Sequence, residues 1–372
     1  MMNLRKIGSF STLLSLSCFA SACFLIPPSE LETEDSNLKS YRIEPSFEII
    51  TAIDFAPNKN LLLVTGEKEF SAGPENSTVE IWDINERRLI QTLETEIGNN
   101  SESIFVLNDS QEILVVDTSG EIALLNIGSG VKERTVVKGS VERGPQTIYS
   151  LNSDFSHSQQ ILARGTYLGP LTLLDIQTEE EIELFSIKDS GYTWDIIKFS
   201  HDGRYLTALA YAQHGTEINN KRKIYVFDIE NRELIGSIEI DSSKVHRISA
   251  FLANGQILIP GDDGLLEIRN IETGDVVQDL SIRTPFDHRA IEVIPGKNLV
   301  AVTSSWNNGI DTVMGLITVW NLDSGEPLCS TARMMHGASV NGHFEVSPDG
   351  RKLVTNEGNT LIIWDIEDCL SL

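Results

Sequence analysis

The chain is poor in basic side chains. Its 372 residues carry 29 Lys and Arg against 54 Asp and Glu, a formal net charge of −25. That balance favours solubility and disfavours nucleic acid or an anionic lipid surface as a partner. Catalytic signatures are missing too: there is no Gly-x-Ser-x-Gly elbow, no phosphate-binding glycine loop and no His-Glu-x-x-His. The seven His are scattered without metal-ligand spacing, so neither metal nor cofactor is expected. Gly261-Asp262-Asp263-Gly264 spans only four residues between two strand-like runs and reads as a tight turn rather than a cation loop.

What the chain has in quantity is a repeated phrase. A hydrophobic run ends in Trp-Asp-Ile or a variant, and a short polar turn follows. Its Asp or Asn falls at Asp83, Asn126, Asp175, Asp228, Asn270, Asn321 and Asp365, at intervals of 43, 49, 53, 42, 51 and 44 residues. Short β-branched and aromatic runs punctuated by Gly, Asn and Asp mark strands and turns. A β-rich repeat of this period marks a propeller. The expected fold is all-β: seven four-stranded antiparallel blades over residues 41–372. After Asp365 only seven residues remain, too few for a last outer strand. Tyr41-Arg42-Ile43-Glu44 is expected to supply it and so close the ring.

These residues resemble the WD-repeat β-propeller family. Trp82, Trp320 and Trp364 stand at the signature position, and Ser347-Pro348-Asp349-Gly350 with Trp364-Asp365-Ile366 is nearest the family pattern. The family's Gly-His pair before the first strand of a blade is not regular here. The resemblance therefore implies a buried His, Asp, Ser/Thr and Trp network that is incomplete in most blades.

The first 22 residues read as an export signal: Arg5 and Lys6, an uncharged run from Ile7 to Ala22, then Cys23. Ala20-Ser21-Ala22-Cys23 resembles the lipobox of bacterial lipoproteins, which implies Cys23 as the lipidated mature N-terminus and a cell-envelope location. Soluble secretion and an uncleaved anchor are the alternatives. Residues 23–40, with Pro27-Pro28 and the acids Glu30, Glu32, Glu34 and Asp35, read as a tether reaching at most roughly 55 Å. Asn76, Asn99 and Asn108 stand in glycosylation-type triplets, relevant only to a eukaryotic secretory route. Cys329 and Cys369 lie in neighbouring blades, where either a disulfide across the closing seam or two separate buried thiols would fit.

Strands of a blade, named a to d from first to last, alternate in direction. The d–a and b–c loops therefore share one face, which carries the long connections Glu67–Asn76, Ala212–Arg222 and Ser305–Gly315. Elaborated loops on a rigid frame are where partners bind. Aligning the first strands places Trp194-Asp195, His246-Arg247 and His288-Arg289 at matching positions near the mouth of the central channel, with Trp306 in the blade 6 loop. Aromatics and Arg anchor interfaces. These seven residues are the expected partner-binding set, for a protein or peptide. The expected function is a non-catalytic scaffold. The alternatives are an enzyme using His246, His288 and Asp195, or a small-ligand sensor with a closed apolar pocket.

Overall fold

The Asp or Asn that sets the repeat period closes a turn. Asp83 Oδ1 accepts the backbone N–H groups of Asn85 and Glu86, both at 2.9 Å. Asn126, Asp175, Asn270 and Asn321 do the same for the residues two and three positions on. The side chain thus bends the backbone from strand c into strand d. Four residues after the anchor the backbone turns left-handed in all six c–d turns: Gly130, Gly274 and Gly325, and the non-glycines Arg87, Glu179 and Arg232.

The computed structural model describes residues 38–371, except 58–59, 69–77, 96, 98–100, 108–110, 118, 139–149, 167–168, 188–191, 213–220, 242–249, 253–254, 261–264, 281–286, 308–312 and 332–342. The expected signal segment, Cys23, most of the tether, His246 and Arg247 lie outside the described residues. So do Asn76, Asn99, Asn108 and the turn at 261–264.

The protein is a seven-bladed β-propeller. Seven antiparallel sheets of four strands each follow one another along the chain, and six of them are a-b-c-d in sequence order. In the seventh, Lys39–Ile43 takes the place of strand d and pairs along Thr360–Asp365, from Lys39 opposite Asp365 to Ile43 opposite Leu361. The Tyr41 hydroxyl donates to the Ile84 carbonyl in the first c–d turn, and the Arg87 guanidinium lies 4.4 Å from the Tyr41 ring. Chain start and chain end are thereby joined to blade 1.

Apolar side chains collect between blades rather than within them, because each sheet is covered on both sides by its neighbours. Ile43, Phe47, Ile53, Leu62, Val354 and Ile363 fill the seam between blades 7 and 1. Ile113, Val115 and Ala123 pack with Leu63, Val79 and Ile81 between blades 1 and 2. Each such Ile or Leu is worth about 1.5–3 kcal/mol relative to exposure.

The Trp network is partial. Trp364 Nε1 donates to Thr355 Oγ1 at 3.0 Å, whereas Trp82 Nε1 turns to Glu80 at 2.9 Å. Trp320 Nε1 finds no acceptor among the described residues.

Two sequence expectations shift. Alignment on a seven-residue spacing pairs Phe251 with Leu258, but Phe251 faces Ile257, so the a–b turn of blade 5 is one residue shorter than in the other blades. The stretch Ser305–Gly315 is not all loop. The strands Leu299–Asn307 and Val313–Asn321 stay paired out to Asn307 opposite Val313, which puts the backbone of Trp306 on a β-hairpin.

Candidate interaction face and central channel

Strand direction assigns the two faces. Lys39 pairs with Asp365 at the turn-rich end, so the chain enters the ring on the a–b and c–d face. The b–c and d–a connections open on the other.

On that loop face the innermost strands share an irregularity. In blades 1, 2, 3, 4 and 6 strand a carries a β-bulge, and in every case the extra residue lies four positions before the hydrophobe facing strand b: Thr51, Glu102, Leu151, Asp195 and Arg289. By sequence, Arg247 and Gly342 hold the same position in blades 5 and 7. A bulge re-aims its side chain and ends regular pairing. The alignment that singled out Asp195 and Arg289 therefore picked out this bulge, and Arg247 matches them by sequence.

The bulge also corrects the expectation for Trp194. Its side chain is only 1% exposed and lies between blades 3 and 4, ringed by Phe185 and Tyr225 at centroid distances of 6.4 and 5.7 Å. Its Nε1 donates to the Gly169 carbonyl at 3.0 Å. The extra residue at 195 interrupts strand alternation and directs Trp194 into the core. Asp195 itself pairs with Arg222 of strand c at 3.2 Å. His288 and Arg289 lie in strand Asp287–Val293, and the side chains of these two and of Trp306 lie outside the described residues.

Cys329 and Cys369 form a disulfide with Cα atoms 5.8 Å apart. It links strand d of blade 6, Pro327–Ser330, to the short 3-10 turn Glu367–Ser371 that follows the last strand.

The opposite end of the channel holds a group the sequence reading missed. The residue just before each strand-a hydrophobe is Asp54, Phe105, Asp154, Lys198, Ala250, Glu292 and Glu345, one from each blade. Six of these, all but Ala250, line a cavity of about 470 Å³ that His157, His201, Pro57, Pro295 and Pro348 rim on the turn face. Four carboxylates thus surround a single lysine. Asp54 Oδ2 accepts the Val106 N–H of the next blade at 2.7 Å, and Asp154 Oδ2 accepts that of Phe199 at 2.6 Å. Lys198 Nζ lies 3.7 Å from Glu292.

Withdrawal from bulk water raises Asp54 from 3.8 to about 7, with Asp154 adding to the rise and the Val106 N–H opposing it. Burial likewise pushes Asp154, Glu292 and Glu345 up, Glu345 further under the negative charge of Asp54. Lys198 is held charged, above all by Glu292. Burial, then neighbouring His201, lowers His157. Among the described residues no group of three or more His, Cys, Asp or Glu is arranged to hold a metal ion. A signal for this ring was present: one register position is charged in five of seven repeats.

No protein-family model matches the chain, and no curated protein does.

Proposed function

We propose that this protein is a non-catalytic, WD-repeat-like binding platform that presents its loop face to a protein or peptide partner outside the cytoplasm. The observation that carries the reading is the polarity of the disc. The chain enters at Lys39 on the turn face, while the longer connections and the bulged starts of strand a open on the opposite face. A tether from a lipidated Cys23 would join the ring at that entry point, so the attachment itself leaves the loop face unobstructed. Rigid strands under varied loops are the arrangement that binding faces use. Arg247, Arg289 and Trp306 are the residues proposed to contact the partner. Trp194 is placed in the core and serves to hold blades 3 and 4 together.

The test is crosslinking on intact cells, comparing the native chain with one carrying Arg247→Ala, Arg289→Ala and Trp306→Ala. One discrete envelope protein captured by the first and lost by the second supports the platform and its face. Equal capture moves the contact elsewhere, and no specific capture removes the reading. Mass spectrometry of the mature N-terminus, with Cys23→Ala as control, tests the anchor separately: an unmodified Cys23 rules out lipidation.

A further inference from the structure

The channel ring uses charge in a way a static frame does not need. An ordinary propeller core is held by apolar contacts between blades, as the Ile, Leu and Val clusters here already do. Yet the innermost strands of blades 1, 3, 4, 6 and 7 direct Asp54, Asp154, Lys198, Glu292 and Glu345 into one space. With all five ionised, four negative charges meet one positive charge, a local net of −3. Phe105 and Ala250, the remaining ring positions, contribute none. Among the described residues Lys198 has a long ion pair with Glu292, and it shares its charge with Asp154, Glu345 and Asp54.

We propose that this ring is a proton-operated clasp: protonation of its carboxylates stabilises the closed propeller, and deprotonation loads the channel with uncompensated charge that destabilises it.

The direction follows from linkage. Each ring carboxylate binds its proton more tightly in the folded ring than in the unfolded chain. The resulting stability is complete below the unfolded value, 3.8 for Asp54, and is lost as pH rises through the folded one, about 7. The wet channel softens the size of this effect but not its sign, since the Lys198 and Glu292 side chains keep 42% and 30% of their exposure. Among the described residues, other titratable groups nearby are few. His157 and His201 stand at the rim, and His343 of blade 7 contacts the Ile50 carbonyl at 3.1 Å through Nε2. Burial disfavours charge on His157, so its own contribution is lost as pH falls, opposite in sign to that of the carboxylates, and it does not supply the fall near neutrality.

Thermal unfolding of the mature protein from pH 5 to 8.5 reads the clasp. The melting temperature is expected to drop across the neutral range, and the drop to shrink by half or more when Asp54→Asn and Glu345→Gln are combined. A control carrying Glu230→Gln and Glu272→Gln removes two acids from c–d turns and should keep the full drop. Lys198→Met removes the ring's cation, so the drop should move to higher pH. Equal slopes in the ring variant and the control overturn the proposal, as does a shift to lower pH in Lys198→Met. Should a ring variant fail to fold, carboxyl-carbon NMR titration of the unaltered protein decides. At least two Asp or Glu side chains titrating above pH 6 support the clasp, and none above pH 5 refutes it.

Discussion

A Cβ atom on Gly165 would stand 2.8 Å from Cγ of Trp194, so the indole occupies the volume a side chain at 165 would need. Gly165 lies in strand b of blade 3 and Trp194 in strand a of blade 4. The pair therefore sets how closely two blades approach. Gly165→Ala is expected to cost about 1–3 kcal/mol, as overpacking of a filled core does. Trp194→Ala, which empties the same seam, should cost about 3–5 kcal/mol. Combining Gly165→Ala with Trp194→Phe should recover part of the first loss, because the smaller ring makes room. Chemical denaturation of the native chain, Gly165→Ala, Trp194→Phe and their combination closes the cycle, and strict additivity would show that the two residues do not share the space.

The left-handed residue four places after each turn anchor gives a second prediction. Gly274 and Gly325 hold this position in blades 5 and 6 with φ of 74° and 69°. An added Cβ on Gly274 meets nothing closer than Ile238 at 3.8 Å, while on Gly325 it meets the Leu280 carbonyl oxygen at 2.7 Å. Gly274→Ala should thus cost only the backbone term, about 1–2 kcal/mol. Gly325→Ala should cost clearly more. The ranking, read from denaturation midpoints, is the test: equal losses would mean that the carbonyl moves aside.

These positions also explain what a reader of the sequence can recover. The period is visible because Asp83, Asn126, Asp175, Asn270 and Asn321 each cap a turn, a local demand met only by a short polar side chain. The closing strand is visible because the seventh repeat ends before its outer strand. The fate of Trp194 is not visible. One inserted residue at 195 reverses which side of the strand faces the core, and a bulge leaves no fixed composition behind. The channel ring is hidden for another reason. Asp54 before Phe55, or Glu292 before Val293, reads as ordinary alternation with a solvent-facing charge, and only closure of seven blades turns that outward side into an interior.

Ring closure by the chain start leads to a third prediction. Leu38 and Ile43 are buried, and Arg42 pairs with Glu357 at 2.7 Å. Tyr41 is sunk enough between its neighbours that burial pushes its phenol up to about 12. A chain beginning at residue 46 leaves Thr360–Asp365 as an unpaired edge beside blade 1, where Val354, Leu361 and Ile363 lose their cover. Exposed edges of this kind pair with other molecules. The shortened chain should melt at lower temperature and self-associate on heating. A monomer of unchanged melting temperature would mean that the strand is dispensable.

The disulfide acts on the same seam from the other side. Cys329 and Cys369 are 40 residues apart, and closing a loop of that length limits the unfolded chain by about 4 kcal/mol. The bond ties blade 6 to the turn after the last strand, and Lys39 of the closing strand reaches Asp368 of that turn at 2.9 Å. Beyond the apolar seams, two fastenings therefore hold blade 7, the paired closing strand and the bond to blade 6. With either one in place the blade keeps a neighbour that fixes it. Cys329→Ser alone should lower stability by about 2–5 kcal/mol with the fold intact. Joined to the removal of residues 38–45, it should cost more than the two separate losses together, by about 0.5–3 kcal/mol, the size of coupling found between residues sharing one structural unit. Denaturation of the single and double variants, with and without reductant, measures that excess. A purely additive loss would show that the disulfide and the closing strand act independently on the seventh blade.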